Sequence, residues 1–172
     1  MNANVKFAKV RPDAIIPSKR VEDMGFDIYA NFDEDYIMIR SHETKLIPTG
    51  IASSCEPKYG FLLRERGSTG SKGIALRCGV IDSGYRNEWF IGLTNTKDYP
   101  LFISKLSPED TYIKHYGEYM PIEGGTVYPY SKAIAQALVI PVPDVEVKEV
   151  SYEELQQIQS ERGLGALGSS NK

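Results

Sequence analysis

The chain reads as an all-β barrel or sandwich, and three observations predict it. Apolar and polar residues alternate in short runs, turn signals separate those runs, and helical periodicity is scarce. Residues 5–10 alternate and form the first strand, after which Pro12 and Pro17 break the regularity. Residues 24–30 alternate again, with Phe26, Ile28 and Ala30 on one face. Asp27 lies on the other face, beside Gly25, where a backbone without Cβ permits close approach. Residues 36–40 and 44–47 give two further strands, and Pro48-Thr49-Gly50 a turn. Residues 51–55 and 59–63 are strand-like, split by Glu56-Pro57-Lys58.

At 172 residues the chain holds one domain, with room for an embellishment. The hydrophobic share of 41% and charged share of 25% are ordinary for a globular protein. A net charge of −3 argues against a general nucleic-acid binder, whose surface would be basic. Cys55 and Cys78 are the only cysteines, and with no targeting pattern they read as reduced thiols in a cytoplasmic compartment. No apolar run is long enough to span a bilayer. His42 and His115 stand alone, so no zinc site is expected.

Chemistry concentrates in a few stretches. In GVIDSGYRNE, residues 79–88, Val80 and Ile81 lead into an Asp82-Ser83-Gly84 turn, and Tyr85 and Arg86 follow. Residues 89–93 return to apolar types, which predicts a hairpin with its polar groups at the tip. Asp82 there is either a base beside an aromatic cover or part of a solvated turn. Residues 64–73 combine glycines, hydroxyls and cations, the composition of a phosphate-binding nest or of a flexible polar loop. Arg66 adds a planar fork that matches phosphate oxygens. Residues 133–142 are apolar except for Gln136, whose amide needs partners if buried.

Residues 95–126 are rich in aromatics, including Tyr99, Phe102, Tyr112, Tyr116 and Tyr119. Ser107 and Pro108 predict the start of a short helix there. This segment is either a flap packed on its own subunit or a partner-binding surface. Ser151 and Glu154 form a capping box for a helix reaching about residue 159. From Arg162 onward nothing can build a core, so the tail by itself reads as disordered.

Residues 79–88 resemble the third motif of the dUTPase (dUTP pyrophosphatase) family, usually GxIDxxYxGE. Four further stretches resemble its other motifs, in family order: MGFDIYA (24–30), RERGSTGSKGI (64–74), SKAIAQ (131–136) and RGLGALGSSN (162–171). The resemblance implies a jelly-roll-like β-barrel assembled as a homotrimer, with a flexible C-terminal arm at about 160–172. It implies hydrolysis of dUTP to dUMP and pyrophosphate, with Asp82 activating water and Mg2+ organised by Asp27 through bound water. Arg66, Gly67, Ser68, Gln136 and Arg162 would hold the phosphates. Gly79 and Tyr85 would meet the uracil edge and the deoxyribose, and Gly163, Leu167, Gly168 and Ser169 would form the closing arm. The order Arg66-Gly67-Ser68 departs from the family's Arg-Ser-Gly or Arg-Ser-Ser. Ala133 stands where the family has an arginine, with Lys132 beside it. Leu167 stands where an aromatic stacks on uracil. The segment 95–126 is longer than the usual connection and resembles an insert of phage-type members, some of which bind repressor proteins. Two alternatives stand beside hydrolysis: a nucleotide-regulated repressor-binding protein, and a deaminase of dCTP.

Overall fold

The computed structural model describes residues 3–118 and 125–165. It divides into two units, Met1–Val142 and Pro143–Lys172. The first unit carries the strands, β1 (Val5–Lys9) through β12 (Ala135–Pro141). The all-β expectation holds, and β5 (Ile51–Cys55) matches its predicted bounds.

Among the described residues the strands form four sheets. β1 pairs antiparallel with β5. β4 (Thr44–Pro48) and β7 (Ile74–Arg77) flank β9 (Phe90–Asn95). β2 (Phe26–Ile28), β12, β6 (Tyr59–Arg64) and β8 (Val80–Ile81) lie in that order in a third sheet. In the fourth, β10 (Leu101–Ser104) sits between β3 (Tyr36–Ile39) and β11 (Thr126–Pro129), parallel to β11 and antiparallel to β3. Neighbours in these sheets are mostly distant in sequence.

That non-local pairing corrects the expected hairpin at 79–93. β8 pairs with β6, and β9 pairs with β4 and β7, so the two arms belong to different sheets. The chain changes sheet at Cys78-Gly79. Cys78 takes a left-handed φ of 57°, and the Gly79 carbonyl accepts the Leu63 N–H at 2.7 Å. A Cβ on Gly79 would lie 3.0 Å from the Leu63 carbonyl oxygen, which is why glycine fits this corner. The polar turn survives as a connection between sheets.

Trp89, fully buried, anchors the far side of that turn. Its ring meets Phe61 at 4.9 Å and Phe7 at 5.6 Å, both edge-on. Its backbone is tied twice: the N–H donates to Ile51 at 2.8 Å, and the carbonyl accepts the Thr49 hydroxyl at 2.7 Å.

Residues 95–126 are not a pendant insert throughout. Leu101, Phe102 and Ile103 are buried, because an apolar run between two partner strands belongs to the core. A helix, α2 (Pro108–Tyr116), follows it. Ser107 caps α2, its hydroxyl accepting the Asp110 N–H at 3.1 Å, and Gly117 ends it at a left-handed φ of 81°. The helix packs on its own subunit. Tyr112 donates to the Gly125 carbonyl at 2.9 Å, the Tyr36 hydroxyl meets His115 Nδ1 at 2.9 Å, and the Thr111 and Ser104 hydroxyls meet at 2.8 Å. Tyr119 lies outside the described residues.

In the second unit, Ser151 caps α3 (Tyr152–Gln156) at 3.0 Å from the Glu154 N–H, and the helix ends before residue 159. This unit starts at Pro143, upstream of the arm expected from about residue 160. Among the described residues, no helix is long and apolar enough to cross a membrane.

Candidate active site

The register of β12 builds the site's floor. Gln136 lies opposite Asp27 on β2 and opposite Arg64 on β6, so all three residues share one row and one sheet face. Asp27 and Gln136 open into a cleft of about 700 Å³ that Arg66, Gly67 and Ser68 also line. Gly25 belongs to the same lining, and a Cβ there would lie 2.7 Å from Gln136 Oε1. The Gln136 amide donates to the Glu65 carbonyl at 2.8 Å, which fixes its orientation. The Leu76 N–H, 3.0 Å from the Glu65 carboxylate, holds that carboxyl below its ordinary pKa range.

Arg66 ends β6's path into the site and caps a single helical turn, α1 (Gly67–Gly70). The stretch 64–73, read as either a phosphate-binding nest or a flexible polar loop, thus holds an ordered helical turn. The Thr69 and Gly70 N–H groups turn inward to the Arg66 carbonyl at 3.0 and 2.9 Å, and Thr69 is buried. The fork of Arg66 is already in use. Nε lies 2.9 Å from Asp27 Oδ1 and Nη2 lies 3.1 Å from Oδ2, a two-point pair. Nη1 reaches the Ala133 carbonyl at 3.3 Å and Ser68 Oγ at 3.4 Å. Ala133 is buried and Lys132 is exposed and outside the cleft lining, so the fourth motif brings a carbonyl here and no cation.

Asp82 and Tyr85 sit elsewhere. With Cys78, Leu46, Val80 and Phe90 they line a smaller cleft of about 300 Å³. The two clefts have no lining residue in common. The Tyr85 N–H donates to the Asp82 carbonyl at 3.1 Å, closing the turn. The Tyr85 hydroxyl donates to the Glu88 carbonyl at 3.0 Å, and the Glu88 carboxylate accepts the Gly50 N–H at 2.7 Å. Asp82 itself is exposed.

Asp27, Arg66, Gly67, Ser68 and Gln136 thus line one cleft, Asp82 and Tyr85 line another, and Gly79 lies in sequence between Cys78 and Val80 of the second lining. Arg162 and Gly163 belong to the second unit, where Arg162 Nε donates to the Gly165 carbonyl at 3.1 Å and Gly163 takes a φ of 55°. Leu167, Gly168 and Ser169 lie outside the described residues. The sequence reading missed one part of the larger cleft: Ser18, Lys19, Arg20, Asp23 and Met24 line it too. Its signal was the Lys19-Arg20 pair shortly before the first motif, tied to that motif by the Asp27 N–H bond to the Ser18 carbonyl at 2.9 Å.

Comparison with known proteins agrees with this architecture. The dUTPase family model matches residues 11–107. The deoxyuridine 5′-triphosphate nucleotidohydrolase of Nautilia profundicola is 31% identical, over 98% of this chain and 99% of that protein. The dUTPase of Staphylococcus bacteriophage 80alpha, solved with dUpNHpp, superposes with a TM-score of 0.72 at 22% identity, covering 98% of this chain and 99% of that one. A dUTPase variant from phage phi11 of S. aureus, solved to reveal the coordination of a structural Mg(II) ion, has a TM-score of 0.62 at 22% identity, covering 86% of this chain and 96% of that one. A family model spanning more than half of the chain, with a relative aligned end to end, places this chain in the dUTPase family.

Proposed function

We propose that the chain hydrolyses dUTP to dUMP and pyrophosphate at a site shared between subunits. One observation carries the shared site: the phosphate-type cleft and the Asp82–Tyr85 cleft have no residue in common within one chain. On this reading a substrate that needs both meets them on different copies, and a homotrimer supplies three such sites.

In the phosphate cleft, Arg66, Ser68 and Gln136 hold the phosphate oxygens, and the bared backbone at Gly67 allows close approach. Among the described residues there is no cluster of three metal-ligating side chains. The cleft lining offers Asp27 and, beside Arg20, Asp23. That donor set fits magnesium, which keeps several waters and takes most other ligands from substrate phosphates. Asp27 would hold it through water, and the ion when bound neutralises phosphate charge. Asp82 takes a proton from the attacking water. The new bond forms from water oxygen to the α-phosphorus. The bond from that phosphorus to the bridging oxygen breaks, and pyrophosphate leaves. Tyr85 packs on the deoxyribose and leaves no room for a 2′-hydroxyl, and backbone from Gly79 onward reads the uracil edge. Arg162 binds the terminal phosphate.

The test is pyrophosphate release from dUTP with magnesium, beside dCTP, dTTP and UTP. Release from dUTP alone is expected. Ammonia from dCTP would overturn the reading.

A second role is favoured by one feature. The family match stops at residue 107, one residue before α2. α2 presents Glu109 and Ile113 to solvent, and this face is a docking surface for a repressor protein. Ile113→Asp should then abolish capture of such a partner while dUTP turnover is retained.

A further inference from the structure

We propose that Arg20 is a substrate-binding residue: its guanidinium contacts the polyphosphate from the 18–24 part of the cleft lining and supplies the cation that the fourth motif lacks here. This rests on the dUTP-hydrolysing reading and goes beyond it, because Arg20 lies outside all five motifs.

The charge balance of the cleft motivates the assignment. Its lining holds three cations, Lys19, Arg20 and Arg66, and two carboxylates, Asp23 and Asp27. Arg66 spends two nitrogens on Asp27 and the third on Ala133 and Ser68. Its charge is largely balanced before any anion arrives. With Ala133 buried and Lys132 outside the lining, the cations of this lining that remain beside Arg66 are Lys19 and Arg20.

Lys19 and Arg20 divide the work. The Lys19 ammonium donates to three carbonyls of its own loop, Arg20 at 3.2 Å, Val21 at 3.5 Å and Asp23 at 2.7 Å. An ammonium has three donors, so Lys19 is a staple for the loop. Arg20 is held but not consumed. Its Nε and Nη2 donate to Asp23 at 2.9 and 2.8 Å, and the Asp23 carboxylate also accepts the Arg20 backbone N–H at 3.2 Å. A guanidinium carries five N–H donors. Two go to Asp23, and among the described residues Nη1 has no partner. The side chain is 87% exposed, so the free edge meets solvent at the cleft. Asp23 thus orients the fork, and much of the side-chain entropy that a flexible arginine would lose on binding is already spent in the free protein.

The experiment is titration calorimetry of the full-length chain with magnesium and either dUpNHpp or dUMP, run beside turnover of dUTP by the wild type. Arg20→Ala should weaken dUpNHpp binding about tenfold, the size of one exposed charge-assisted contact. It should leave dUMP binding unchanged and make dUpNHpp binding less sensitive to salt. Arg20→Lys, which keeps the charge and loses the fork, should recover part of the affinity. Wild-type affinity for dUpNHpp in Arg20→Ala would overturn the proposal. So would an equal loss for dUMP and dUpNHpp, which marks a collapsed loop and not a lost phosphate contact. A wild type that binds dUpNHpp without hydrolysing dUTP would overturn the hydrolytic reading and leave the Arg20 comparison intact.

Discussion

At the scale of the residue, the Asp27–Arg66 pair and Asp82 carry the sharpest expectations. Both members of the pair are about one-third exposed, at 33% and 29%. A pair that open to solvent contributes about 1 kcal/mol or less to stability. Asp27→Asn should therefore shift thermal unfolding only slightly. It should nevertheless lower turnover at least tenfold and raise the magnesium needed for half-maximal rate, as enzyme assays at varied magnesium would read. Asp82→Asn is expected to bind dUpNHpp normally and to lose about 10²–10⁴-fold in kcat, the usual weight of a general base. Near-normal turnover in that variant would remove Asp82 from its role. Several of these residues were legible in the sequence because their types suit phosphate chemistry. Lys19 and Arg20 were not, since a dibasic pair in a loop is common and only the fold shows which cleft it lines.

At the scale of the element, two glycines test how strands place side chains. Gly25→Ala would push a Cβ to within 2.7 Å of Gln136 Oε1. The far end of a side chain can give way, so the fold should survive, with Gln136 displaced and KM raised. Gly79→Ala meets backbone instead, the Leu63 carbonyl oxygen at 3.0 Å. A cost of about 1–3 kcal/mol is expected there, read by denaturant unfolding. Ser107→Ala removes the α2 cap and should cost about 1 kcal/mol. Ser107 as cap was readable because capping is local, involving Asp110 only three residues on. The hairpin at 79–93 was misread for the opposite reason. Two adjacent apolar runs satisfy any local rule for a hairpin, while their actual partners, β6 on one side and β4 and β7 on the other, lie elsewhere in the chain. The one-turn α1 was hidden by its composition, since Gly-Ser-Thr-Gly has little helical propensity. Thr69 secures it by accepting the Arg66 N–H at 3.0 Å.

At the scale of the whole molecule, the proposed shared site makes assembly part of the chemistry. Light scattering should give a trimer, and mixing Asp82→Asn with Asp27→Asn chains should restore part of the activity, because mixed trimers contain some sites with both residues intact. No recovery on mixing would mean that one chain supplies both groups. Removing residues 160–172 should lower activity and leave the trimer whole.

The sequence by itself determined the all-β class, most strand positions and part of the residue set of the larger cleft, Asp27, Arg66, Gly67, Ser68 and Gln136. These follow from alternation, turn chemistry and side-chain charge, which are local. Only the tertiary structure decided that residues 101–104 are core, that the chain leaves the β7–β9 sheet at Cys78-Gly79 to place β8 beside β6, and that Arg20 shares a cleft with Arg66. Each depends on which distant strands pair, and pairing is set by burial of the whole apolar surface at once.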